Sequence, residues 1–219
     1  MTARTELTVA DILDLRAYER VRQSFRQEVM AKKRRRRVPV GPIMTLLFES
    51  EETVRFQIQE MARVERIVTD GGIQAELDIY NKLLPVPGEL SATLFVELTT
   101  EPDLRHWLPL LVGIERSVVI EPGTPPPATA GGPAMAVGAV HGVPEAAHAE
   151  SLTRESVTPA VHYLRFPFTV EQIGWFAAGP VSVAVRHPEY QAGTELSEET
   201  RRELLADLEG RTEPPTAAR

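Results

Sequence analysis

The sequence predicts an α+β fold: a mainly antiparallel sheet with helices packed on one face, a long N-terminal helix and one long Pro/Gly/Ala-rich loop. Three observations carry this. An apolar stripe with steps of three and four runs through Ile12, Leu15, Tyr18, Val21, Phe25 and Val29, the period of one helix face. Short apolar or alternating runs, bounded by Gly, Pro and polar residues, recur further along, as strands do. Between Pro122 and Glu150, 19 of 29 residues are Pro, Gly or Ala, too few bulky side chains to build a packed element.

In chain order, Thr8 is placed to cap the first helix, with Asp11 three residues on. Glu28 and Lys32 add a favourable i,i+4 pair. The helix fades in the run Lys32 to Arg37, and Pro39 and Gly41 forbid its continuation. A hairpin is expected next, with strands Ile43–Glu49 and Thr53–Ile58 around the polar turn Ser50-Glu51-Glu52. A helix is then read from Gln59 to Val68 and another from Asp70 to about Leu84. Ser91–Leu98 reads as a strand, Thr100 and Asp103 open a short helix carrying Trp107, and Glu115–Ile120 reads as a strand. The same theme returns as strand Val157–Phe166, a helix capped by Thr169 and carrying Trp175, and strand Val181–Arg186, which suggests an internal duplication. Ser197 caps a last helix, with Glu198 and Glu199 in its first turn, where the helix dipole favours negative charge.

This divides the chain into residues 1–121 (helix, hairpin and first strand–helix–strand unit), a flexible insertion over 122–150, a second unit with the C-terminal helix over 151–210 that shares the first core, and a disordered tail over 211–219. There is no cysteine, which excludes disulfides, thiolate metal sites and cysteine nucleophiles. No apolar run is long enough to span a membrane, and the first residues do not read as a signal peptide, so a cytoplasmic location is expected. The net charge of −7 is uneven: residues 16–37 hold ten Lys/Arg against Glu19 and Glu28, leaving −15 for the rest.

Phosphate loops, dinucleotide fingerprints, His-Glu-x-x-His and a glycine-flanked nucleophilic serine are all absent, which disfavours the common nucleotide enzymes and zinc hydrolases. The basic run Lys32, Lys33, Arg34, Arg35, Arg36 and Arg37 is the first candidate site, for an anion or a protein partner. Against this, cations suit the end of a helix, and the run lacks interleaved aromatics or glycines for stacking bases. Gln57, Gln59 and Glu60, with Glu65 and Glu76 nearby, are a candidate polar cleft, although such residues also form ordinary solvated helix faces. Among the histidines, His162 reads as a core residue with a satisfied ring, His187 as part of a turn or pocket rim, and His106 as surface. Glu145 and His148 form one isolated Glu-x-x-His, where a di-iron site needs two and further glutamates. No metal ligand set and no cofactor are expected.

The segments Asp14-Leu15-Arg16-Ala17-Tyr18-Glu19-Arg20, Val40-Gly41-Pro42, Phe56-Gln57-Ile58-Gln59-Glu60-Met61, Gly88-Glu89-Leu90-Ser91-Ala92-Thr93-Leu94 and Gly113-Ile114-Glu115-Arg116 resemble a bacterial family, domain of unknown function family 3501. The resemblance covers nearly the whole chain outside Gly123–Glu150. It brings no activity and no catalytic residue. It implies an association with rubrerythrin-like di-iron proteins and iron–sulfur oxidoreductases, hence a supporting part in redox or oxidative-stress metabolism. The expected function is that of a non-catalytic accessory protein binding such a redox partner or a second copy of itself. The alternatives are a nucleotide- or RNA-binding module using residues 32–37, and an enzyme with a cleft near Gln57–Glu60.

Overall fold

The computed structural model describes residues 6–123, 138–145 and 157–211. Leu7 to Asp14 does not join the first helix. Thr8 and Asp11 form their reciprocal cap, but on a single 3-10 turn, Val9–Asp11. Asp14 then caps α1, Leu15–Arg36, by accepting from the Arg16 and Ala17 amides. The helix runs 22 residues through almost the entire basic run. A tight hairpin follows, β1 (Arg37–Pro39) with β2 (Met44–Phe48). Gly41 turns it at φ +74°, where a Cβ would meet the Tyr190 hydroxyl at 2.3 Å, so only glycine fits.

The expected second strand of a hairpin over 53–58 is instead the start of α2, Glu51–Glu65. Ser50 and Thr53 cap each other, and Thr53, Val54, Phe56, Ile58, Gln59 and Ala62 are buried. The alternation of Val54, Phe56 and Ile58 misled because the helix is buried on several sides. Its true period shows in Val54, Ile58 and Ala62. After α2 come α3 (Asp70–Tyr80), β3 (Glu89–Val96), α4 (Glu101–Leu110) and β4 (Val118–Pro122). The expected strand at Glu115 starts later, because Ile114–Arg116 is a 3-10 turn. Part of the Pro/Gly/Ala-rich segment falls outside the described residues. Within it, residues 140–144 pair as β5 (Val140–His141) and β6 (Val143–Pro144) rather than looping freely. The chain continues as β7 (Val161–Pro167), α5 (Val170–Ala178), β8 (Val181–His187), β9 (Tyr190–Glu195) and α6 (Glu198–Leu208).

All described strand pairs are antiparallel, in an α+β fold. The strands form two sheets, ordered β1-β2-β3-β7-β6 and β5-β4-β8-β9. The larger apolar core takes Leu46, Phe48, Leu94, Leu164 and Phe166 from the first sheet and Val118, Ile120, Val183 and Val185 from the second. A smaller core joins α2 and α3 to Leu7, Ile12 and the half-buried Tyr163 of β7. In β3, Leu90, Ala92, Leu94 and Val96 face the larger core, so Ser91, Thr93 and Phe95 face the helices. The polar residues of interest lie on that helix-covered face.

Candidate functional site

Glu49 follows the last residue of β2, directly before the cap of α2. Its backbone amide donates to the Ser91 carbonyl at 2.8 Å, which places it opposite Ser91 on β3. Its carboxylate accepts from the Thr53 hydroxyl at 2.5 Å and the Thr93 hydroxyl at 2.6 Å. It is 7% exposed. A buried carboxylate is costly unless donors surround it, and here one comes from the helix above and one from the strand beside it. Thr93 pairs in register with Tyr163 on β7. Burial, first, pushes the Tyr163 phenol up to about 12, and the charges of Tyr80 and Glu49 act in the same direction. The Ser91 hydroxyl is 1% exposed and has no hydrogen-bond partner. A buried hydroxyl without a partner is unusual in a folded protein.

Lys33 on α1 is half-buried. Its ammonium lies 5.5 Å from the centroid of the Phe56 ring and closes no ion pair among the described residues. Burial pushes it below the usual lysine value, and the neighbouring Arg37 adds to the effect, while Glu49 opposes it.

The rest of the basic run is largely consumed inside the molecule. Lys32 pairs with Glu52 at 2.9 Å. Arg35 pairs with Glu203. Arg36 is 1% exposed, donates to the Phe48 carbonyl at 2.9 Å and the Glu49 carbonyl at 2.7 Å, and pairs with Asp207. Burial works against its charge, but the Asp207 carboxylate, with Glu203 and Glu52 acting the same way, outweighs it and holds the guanidinium above the usual arginine value. Arg37 pairs with Glu97 and stacks on Phe95. Only Arg34 of the six is exposed without a carboxylate partner among the described residues. It borders a cleft of about 530 Å³ between the end of α1, β1 and the start of α6, where Glu195 and Glu199 offset much of the positive charge.

Gln57, Gln59 and Glu60 are not brought together. Successive helix positions turn by about 100°, so the three point different ways. Gln57 bonds to the Tyr80 phenol on α3. Gln59 is buried and holds the backbone of Leu13 at both ends, accepting at 3.0 Å and donating at 2.8 Å. Glu60 binds Tyr18 at 2.7 Å and Arg22 at 2.8 Å, joining α1 to α2. On α3, burial and then Glu65 hold Glu76 above the usual carboxylate range.

His162 is buried, with Nε2 3.1 Å from the Thr158 hydroxyl and Nδ1 3.9 Å from buried Glu115. His187 accepts from the Glu189 amide at Nδ1, so Nε2 carries the hydrogen and donates to the Val112 carbonyl at 3.1 Å. His106 is exposed against Trp107. His148 lies outside the described residues. Among the described residues, no three His, Asp or Glu cluster as metal ligands, and no helix is long and apolar enough to cross a membrane. Sequence reasoning missed Glu49, Ser91, Thr93 and Tyr163. Its one available signal was a glutamate ending the apolar run Met44–Phe48, followed four residues later by a threonine.

Three comparisons bear on this arrangement. The model of the family described as protein of unknown function (DUF3501) matches residues 6–208. A crystal structure of a protein of unknown function from Burkholderia pseudomallei is similar at 35% identity with a TM-score of 0.79, covering 93% of this chain and 99% of that one. No curated protein matches.

Proposed function

The chain belongs to the DUF3501 family, and from that premise we propose that it is a non-catalytic accessory protein that docks an acidic protein partner along the outer face of α1. The observation that carries this is a stripe of unspent cations. Arg16, Arg20, Gln23, Gln27 and Arg34 are exposed and fall within about 60° of one another around the helix, over a length of about 27 Å. Among the described residues, none of the three arginines reaches a carboxylate. Glu19 and Glu28, the acids of this helix, point off the stripe. Arg22, Lys32, Arg35 and Arg36 of the same helix pair with carboxylates, whereas the three arginines of the stripe do not. Complementary charge of this kind steers association and fixes register more than it adds affinity.

The partner that fits is an acidic di-iron or iron–sulfur redox protein in the cytoplasm, which the family resemblance implied. This chain, without cysteine, would not hold a thiolate-bound cluster itself. The test is affinity purification of the wild type and of an Arg16→Glu/Arg20→Glu/Arg34→Glu variant from native cells, read by mass spectrometry and light scattering. One acidic protein, retained in stoichiometric amount by the wild type and lost by the variant with an unchanged Tm, is expected. Nucleic acid retained at physiological salt and lost in the variant would replace this reading with the anion-binding one. A dimer split by the variant would replace it with self-association.

A further inference from the structure

We propose that the free edge of β9 is a self-association surface, along which a second copy of this chain pairs β9 against β9 about a two-fold axis at Gly193. The first ground is the hydrogen-bond ladder. The Leu196 amide donates to the Val181 carbonyl, and His187 faces Tyr190 across a two-residue turn. Tyr190, Ala192 and Thr194 therefore spend their amides and carbonyls on β8, while Gln191, Gly193 and Glu195 aim theirs outward. All three outward residues are exposed. Among the described residues, no further strand pairs with this edge.

The second ground is that this edge is open where the others are blunted. Among the described residues, β1 has three residues and ends in Pro39, and β5 and β6 have two each, with Pro144 in β6. β9 runs six residues without proline, lysine or bulge. Edges are normally guarded by such devices, and one without them is a template for another strand. This edge is also held in shape. Tyr190 donates to the Val40 carbonyl at 2.7 Å and Thr194 to the Pro39 carbonyl at 2.6 Å, which ties the strand to the β1–β2 hairpin. A partner strand then has little ordering left to impose.

The third ground selects a second copy as the occupant. An axis at Gly193 sets that glycine against itself and Gln191 of each copy against Glu195 of the other, so every outward residue exchanges both of its bonds. The Glu195 carboxylate then accepts from a side-chain amide instead of meeting a like charge. Arg186, exposed and cross-strand from Gln191, stands one strand further along the same row and adds the opposite charge. An axis at Glu195 would oppose two carboxylates. An axis at Gln191 would leave Gly193 and Glu195 beyond the end of the other strand.

The experiment follows the mass of the whole protein by light scattering and sedimentation over micromolar concentrations. A concentration-dependent dimer is expected for the wild type. A Cβ at Gly193 makes only ordinary contacts, 3.6 Å to the Ala184 Cβ and 3.7 Å to the Val183 carbonyl oxygen, so Gly193→Lys and Gly193→Glu should fold with unchanged Tm. Each sets its own charge against itself at the axis and should weaken the dimer about tenfold or more. Mixed, the two should restore it as a heterodimer, which a merely structural role of Gly193 would not produce. If a variant fails to fold, hydrogen exchange of the wild type decides: the Gln191, Gly193 and Glu195 amides should slow as concentration rises. A monomeric wild type, a dimer that Gly193→Lys leaves intact, or exchange independent of concentration overturns the proposal. Docking through α1 fails independently, because the Arg16→Glu/Arg20→Glu/Arg34→Glu variant keeps this edge and the Gly193 variants keep the arginine stripe.

Discussion

Glu60 accepts from Tyr18 and, bidentately, from Arg22, with Arg63 3.6 Å away. The Arg22 hydrogen bonds, acting against burial, hold its carboxyl down at about 2. A carboxylate depressed in the folded state contributes stability that is complete above its unfolded value of about 4.3 and is lost as pH falls toward the folded one. With part of the group in solvent, screening leaves about 1–2 kcal/mol. Glu60→Gln should therefore lower urea stability by that amount at pH 7, and the gap to wild type should close between pH ~4.5 and ~2. A gap that stays constant over this range would contradict the account. The sequence picked out Glu60, but as one wall of a cleft. Its real partners lie one turn apart on α1, a pairing across two helices that no local pattern announces. Lys33 was legible only as one cation of six, because what distinguishes it is the burial and the Phe56 ring that folding brings to it.

Among the elements, α2 shows where local reading fails. Thr53 was placed in a strand by alternation. In the structure its hydroxyl accepts from the Ser50 amide at 2.8 Å, and it is also the donor to Glu49. Thr53→Val keeps shape and β-branching but leaves a buried amide and a buried carboxylate each short of one bond. A loss of about 2–3 kcal/mol is expected, at the upper end for unsatisfied buried groups because one of them is charged. Thr93→Val leaves only the carboxylate short and should cost less. Equal losses from the two, in denaturant titrations, would show that the cap is not involved. By contrast, α1, α3, α4, α5 and α6 were legible as helices from their polar caps and apolar period, although α1 begins at Leu15 rather than after Thr8.

At the scale of the whole molecule, the strand–helix–strand theme becomes a structural relation. β3–α4–β4 and β7–α5–β8 each give their first strand to one sheet and their second to the other. First strands pair with each other, Thr93 against Tyr163 near the middle, and second strands likewise, Ile120 against Val183. Thr100 and Thr169 cap the two helices in the same way. The two units thus share one topology. What the sequence did not reveal is that strands adjacent in the chain part company between two sheets, because that depends on pairing over long range. Neither half completes a sheet, so fragments 1–123 and 124–219 should each lack a cooperative melt by circular dichroism and regain one when mixed. A cooperative transition in either fragment alone would refute this. The same exchange of strands sets a timetable for synthesis. When β3 leaves the ribosome its partner β7 lies 65 residues downstream. At ~5–20 residues per second, roughly 3–13 s pass with the open edge of β3 available to chaperones or to neighbouring nascent chains. Folding of this protein is thus timed by the arrival of its second half.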